Sequence, residues 1–217
     1  MAKRRKVGNL MALAILSVVA HREMHPYEMA AALRGWGKDR DMKIKWGSLY
    51  AVVQSMAKHG LLEEAGSSRQ GRRPERTVYR ITQAGRAELV DWARELLSVA
   101  ERESPRFRAG LSVMAVLPPD EAVTLLHQRL CSLDAEIAAL RVTLAHDGDG
   151  VPRLFLVEVE YDLAILRAEA AWVRSLLAEV TSGTFPGLEQ WRDFHKHGEI
   201  PDELRQLAER SITGGET

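Results

Sequence analysis

The chain has 217 residues, 46% of them hydrophobic and 28% charged, as in a folded soluble protein of one or two small domains. Its net charge of zero hides an asymmetry: residues 1–97 carry 18 Lys+Arg against 10 Asp+Glu (+8), and residues 98–217 carry 12 against 20 (−8). The alternative is scattered surface charge, but a basic half joined to an acidic half points to a polyanion met by the first half alone. The single Cys131 excludes an intrachain disulfide, which fits a reducing cytoplasm.

KRRK at 3–6 opens the chain as a basic arm, either a solvated tail or a contact to a phosphate backbone. With the apolar run at 10–20 it imitates a secretory signal. The run serves better as a first helix, about 8–20, buried on nearly all sides. A second helix is expected over 26–34, with Met29, Ala32, Leu33 and Trp36 as its apolar stripe and Gly35 and Gly37 ending it. A charged connection follows at 38–43. Leu49, Val52, Val53 and Met56 recur at i, i+3, i+4 and i+7, the buried face of a short helix. Gly47, Ala51, Gln54, Ser55 and Lys58 lie opposite, and Lys58-His59-Gly60 reads as a cationic last turn with a glycine stop. Extended runs at 61–64 and 77–82 flank SSRQGRRPER, a polar tip holding Arg69, Arg72, Arg73 and Arg76. A helix followed by a two-stranded ribbon with a basic tip is the winged helix-turn-helix pattern. Thr82 is placed to cap a helix from Gln83 to about Ser98, with Leu89, Trp92, Ala93 and Leu96 along one side. The break at 100–107 sets the expected domains, a winged helix-turn-helix domain at 1–99 and a second, helical domain at 100–217, for which the resemblance given below implies dimerisation and effector roles.

The second half reads as wholly helical. Leu111–Val116 is an apolar helix halted by Pro118-Pro119, and a long helix starts near Asp120-Glu121, acids suited to its positive end. Val123, Leu126, Leu130, Leu133, Ile137, Leu140 and Leu144 alternate steps of three and four, a coiled-coil-like seam. Cys131 falls on that apolar face as packing. HDGDGVP at 146–152 is a turn, and a helix over about 153–181 is apolar around much of its perimeter, including Leu154, Phe155, Tyr161, Ile165 and Trp172. Two buried faces imply a hairpin partner and a second copy of the chain. Leu126, Leu130, Leu133, Ile137, Leu140, Tyr161, Ile165 and Trp172 are therefore the dimerisation candidates. A short helix is expected at 201–210 and disorder at the last residues.

HPYEM at His25–Met29, GSLY at Gly47–Tyr50, KHGLL at Lys58–Leu62 and YRITQAGR at Tyr79–Arg86 occur in that order and spacing. Together they resemble the PadR family of bacterial transcriptional regulators, over roughly residues 8–98. The remainder is similar only in length, helicity and position to the family's variable C-terminal region. Pro26 departs from the glycine of many relatives and is harmless if it opens the second helix. The resemblance implies a mainly α fold: an N-terminal winged helix-turn-helix domain with a two-stranded β wing, and an all-α dimerisation domain. It also implies a homodimeric repressor on a pseudo-palindromic double-stranded operator, and an aromatic contact residue at Tyr50, whose alternative is half-buried packing. In the family, phenolic acids or hydrophobic drugs bind near the junction of the two regions. Trp92, Phe107, Tyr161 and Trp172 are the candidates here for lining such a site, set against a plain core role.

On residue chemistry, Gln54 suits an adenine edge, and Lys58, Ser48 and Tyr50 suit phosphate. Arg69, Arg72 and Arg73 suit phosphate or the minor groove, with Tyr27 and Lys45 as further phosphate candidates. The rival class, an enzyme, has no phosphate-cradling glycine loop, nucleophile elbow or paired-cysteine or His-x-x-x-His metal motif. His195 and His197 lack further ligands nearby, and Asp147–Gly150 begins like a calcium loop but lacks its later ligands. No cofactor and no membrane span are expected. A helical protein-interaction scaffold is the alternative, though it leaves the basic wing without a purpose.

Overall fold

The computed structural model of the chain describes residues 5–38, 42, 45–68, 76–100, 105–147 and 150–198. They form two compact units, Met1–Arg102 and Glu103–Thr217. Among them no helix is long and apolar enough to cross a membrane.

The first unit is built on α1 (Leu10–Val19), in which Ala12, Ala14, Ile15, Leu16 and Val18 have no exposed surface. Asn9 starts it by accepting the Ala12 N–H at 2.9 Å. Around it pack α2 (Pro26–Gly35), α3 (Leu49–Lys58), the ribbon β1 (Leu62–Ser68) and β2 (Arg76–Ile81), and α4 (Gln83–Ser98). The apolar face expected for α3 is the buried one: Leu49, Val52, Val53 and Met56 all enter the core. Trp36 does not join the α2 stripe; it caps the helix, exposed, with His21 edge-on to its ring at 5.7 Å.

HPYEM acquires a physical meaning at the start of α2. His25 Nδ1 accepts the Tyr27 N–H at 3.1 Å, while Glu28 Oε2 accepts the His25 N–H at 2.9 Å. This is a reciprocal capping box, with Pro26 at the first helical position, where no N–H is needed. The hydrogen bond from the His25 N–H holds the Glu28 carboxyl below its ordinary value; partial burial opposes this and Arg22 adds to it. A depressed carboxylate contributes stability that is present above its unfolded value and is lost as pH falls through the folded one. With the Glu28 side chain 44% exposed, Glu28→Ala is expected to cost no more than about 0.5–1 kcal/mol at neutral pH. The difference in melting temperature from the parent should vanish in acid below the ordinary glutamate range, which a pH series of thermal melts checks.

The ribbon is antiparallel, pairing Leu62 with Ile81 and Glu64 with Tyr79, and a bulge between Glu64 and Gly66 leaves Ala65 unpaired. Tyr79 and Ile81 point into the core as expected from the alternation. Met24 adds a one-residue third strand, exchanging both backbone hydrogen bonds with Tyr79 at 3.0 Å. The wing tip, with Arg69, Arg72 and Arg73, lies outside the described residues.

The KRRK arm is corrected at Arg5. Its guanidinium is ion-paired with Glu88 and Glu95 of α4, lies 3.4 Å from Asp91 and stacks 4.9 Å over the Trp92 ring. With 4% of the side chain exposed, Arg5 is tied to α4 and unavailable to a phosphate.

In the second unit, α5 (Arg106–Ser112) begins at Pro105 and a 3₁₀ turn spans Met114–Val116, so the expected helix at 111–116 is shifted toward the N-terminus. Helices α6 (Pro119–Asp147) and α7 (Val157–Ser182) form the main hairpin. Leu126, Leu133 and Ile137 are buried there with Leu163, Ala170, Val173 and Leu177, while Leu130 and Leu140 pack partly against the same core. The α6 seam thus packs against α7 within one chain, where the sequence reading had set it against a second copy, and Leu130 and Leu140 are only partly covered. Tyr161, Ile165 and Trp172 on α7 stay exposed. Cys131 is exposed too, not packed.

Helix α8 (Leu188–His197) was not expected; the sequence reading put a short helix at 201–210, outside the described residues. Two side-chain hydrogen bonds hold it to the turn before α6. Trp191 Nε1 donates to the Leu117 carbonyl at 2.8 Å, and His195 Nε2 lies 2.9 Å from the Ala115 carbonyl.

Candidate nucleic-acid interface

Burying four apolar residues of α3 leaves its opposite face in solvent. Ser48, Tyr50, Ala51, Gln54 and Lys58 are all exposed, Tyr50 at 55%. Lys45 is exposed just before the helix, and Tyr27 at the start of α2 is 64% exposed. The spacing Tyr50, Gln54, Lys58 sets an aromatic hydroxyl, an amide and an ammonium one turn apart on a single line. Gly47 and Ala51 beside them are small enough for a backbone to approach.

Several contacts fix this face. The Arg34 guanidinium lies 4.4 Å over the half-buried Trp46 ring, steadying the 3₁₀ lead-in Trp46–Ser48. His25 stands edge-on to Tyr50 with ring centroids 6.4 Å apart, a role the sequence reading did not give it. Ser48 Oγ donates to the Lys45 carbonyl at 2.9 Å, so its hydrogen is already engaged and it offers a ligand mainly its lone pairs. At the far end the Gly60 N–H bonds the Ala57 carbonyl and the Leu61 N–H the Met56 carbonyl. This closes α3 through a left-handed residue (φ 73°) that glycine adopts without strain.

One junction couples α3 to the wing and to α4. Thr82 Oγ1 accepts the Gly85 N–H at 2.9 Å and donates to the Gly60 carbonyl at 2.6 Å, while the Thr82 N–H bonds the Leu61 carbonyl at 3.1 Å. Gly85 sits so close to Leu61 that a β-carbon on it would lie 2.1 Å from the Leu61 carbonyl oxygen. Here the glycine of YRITQAGR is a packing requirement, a signal visible in the motif but not interpretable without its neighbour.

The four aromatic ligand candidates are placed differently. Trp92 is core of the first unit beneath Arg5. Phe107 and Trp172 meet edge to face at 6.1 Å in the second unit, and the Arg129 guanidinium lies 3.7 Å over Phe107 while bonding Glu169. Tyr161 is exposed at 65%.

An exposed polar helix face backed by a helical core, with a two-stranded ribbon following it, defines a winged helix-turn-helix protein, here with a second, wholly helical unit. Residues 15–91 match the transcriptional regulator PadR-like family, a match that covers the winged-helix unit alone. The family is one of transcriptional regulators, which is not an enzyme class.

The fold is similar to that of Bacillus subtilis PadR solved in complex with operator DNA, at 18% identity and a TM-score of 0.67, over 79% of this chain and 99% of that one. The same Bacillus subtilis protein solved with p-coumaric acid matches at 19% identity and a TM-score of 0.63, covering 80% and 99%. The Vibrio cholerae virulence activator AphA matches at 20% identity and a TM-score of 0.60, covering 79% and 98%. Among curated proteins no sequence matches the chain.

Proposed function

We propose that the chain is a cytoplasmic homodimeric repressor that binds a pseudo-palindromic operator through α3 and the wing, and that a small aromatic or hydrophobic effector releases it. The observation that carries this reading is the division of α3 into a buried apolar face and an exposed line of Tyr50, Gln54 and Lys58. The exposed residues Tyr161, Ile165 and Trp172 of α7 supply an apolar face for a second copy. A two-fold dimer sets its reading helices about 34–36 Å apart, one turn of DNA. Complexes of a structural relative with operator DNA and with p-coumaric acid favour both partner classes. Repression is the simpler outcome of occluding a promoter, although a relative with this fold is an activator. For release, the effector must bind the DNA-free state more tightly than the bound one.

The test is a fluorescence-anisotropy titration against DNA upstream of the chain's own gene, beside a scrambled duplex, at two salt concentrations. Tight binding that prefers the native duplex and weakens steeply with salt is expected; no binding even at low salt defeats the proposal. Gln54→Ala should cost about 1–3 kcal/mol on the native duplex and little on the scrambled one. Replacing Arg72 and Arg73 by alanine should instead weaken both alike and flatten the salt slope.

A further inference from the structure

The second unit is acidic overall, yet its α6–α7 hairpin gathers three arginines around one groove. Arg141 on α6 and Arg167 and Arg174 on α7 line it with Asp134, Ile137 and Ala138. The groove encloses about 380 Å³, the lower part of the range of small-molecule sites, about 300–1,000 Å³. Three guanidiniums and one carboxylate give it a formal charge of +2.

None of the three arginines has a carboxylate one turn away on its own helix. Positions three and four residues away from Arg141, Arg167 and Arg174 on their own helices are all Ala, Leu or Ile. Elsewhere in the unit Arg129 pairs with Glu169, Arg153 with Glu160 and Arg192 with Glu189. Arg174 pairs across the hairpin with Asp134, whereas Arg141 and Arg167 have no hydrogen-bond or ion-pair partner among the described residues. Like charges held along one groove repel, and the repulsion is relieved by an anion between them. Guanidinium forks suit the paired oxygens of carboxylate and phosphate, and Ile137 gives a ligand an apolar floor.

We propose that the α6–α7 groove is a binding site for a small organic dianion, a dicarboxylate or phosphate monoester, held by Arg141 and Arg167 and bordered by the Arg174–Asp134 pair. The site is independent of the DNA reading, since it is defined wholly within the second unit, and none of the aromatic candidates lines it.

Calorimetric titration of the full chain with succinate, phthalate and phenyl phosphate, beside the monoanion benzoate at matched ionic strength, tests it. Saturable binding of one dianion per chain is expected, at least about tenfold tighter than benzoate, and the three probes separate carboxylate from phosphate preference. Replacing both Arg141 and Arg167 by glutamine should lower the affinity at least about tenfold while far-UV circular dichroism stays unchanged, since both side chains are exposed. Equal binding of benzoate, undiminished binding by the double variant, or no saturable binding of any dianion would overturn the proposal. A groove filled by a second copy's carboxylates would give that last result together with altered sedimentation of the variant.

Discussion

In a Leu133→Asp variant the second unit is expected to lose its helical hairpin, not merely a partner. Leu133 is 5% exposed and lies in one core with Ile137, Leu163, Ala170 and Val173. Truncating a buried leucine costs about 2–5 kcal/mol, and an uncompensated polar group adds more. That sum rivals the whole stability of a small domain, about 5–15 kcal/mol. Far-UV circular dichroism should show lost helicity and a lower melting temperature. Ile165→Glu is the contrasting case: with its side chain exposed, it should keep the helices and change only the sedimentation of the protein. A Leu133→Asp protein that melts like its parent would remove that residue from the core and return the seam to an intermolecular role.

Gly85→Ala is the second large effect. The added carbon would lie 2.1 Å from the Leu61 carbonyl oxygen and 2.9 Å from Ile81 Cγ1. The first of these is backbone, already accepting from the Thr82 N–H, so it has no rotamer to adopt and α4 must move instead. Overpacking of this kind costs about 1–3 kcal/mol or more, and we expect the upper end. Movement of α4 also shifts the Thr82 link to Gly60 that ends the reading helix. DNA affinity should therefore fall along with the melting temperature, and a Gly85→Ala protein as stable as its parent would contradict the observed approach.

The elements whose residues carry their own signal were readable from the chain. The α3 face Leu49, Val52, Val53 and Met56, the Thr82 cap and the alternation of Tyr79 and Ile81 all follow from local periodicity and capping chemistry. The polar side of α3 was legible as an exposed face for the same reason: what a buried stripe leaves over is solvent-facing. Other features depend on distant partners. A three-four repeat such as Leu126, Leu130, Leu133 and Ile137 satisfies a hairpin and a dimer equally well, and only α7 decides between them. Arg5 reads as a phosphate ligand until Glu88 and Glu95 are placed beside it. Helix α8 is short and polar, and its attachments are the carbonyls of Leu117 and Ala115, more than seventy residues earlier.

The enclosure of α1 also has a cost in time. Its apolar residues leave the ribosome before the groups that cover them, which arrive as late as Trp92 and the rest of α4. At roughly 5–20 residues per second, the intervening stretch takes about 4–15 s to synthesise. For that interval a segment as apolar as a secretory leader stands uncovered on each nascent chain, open to chaperones, to targeting factors and to its neighbours on the same message.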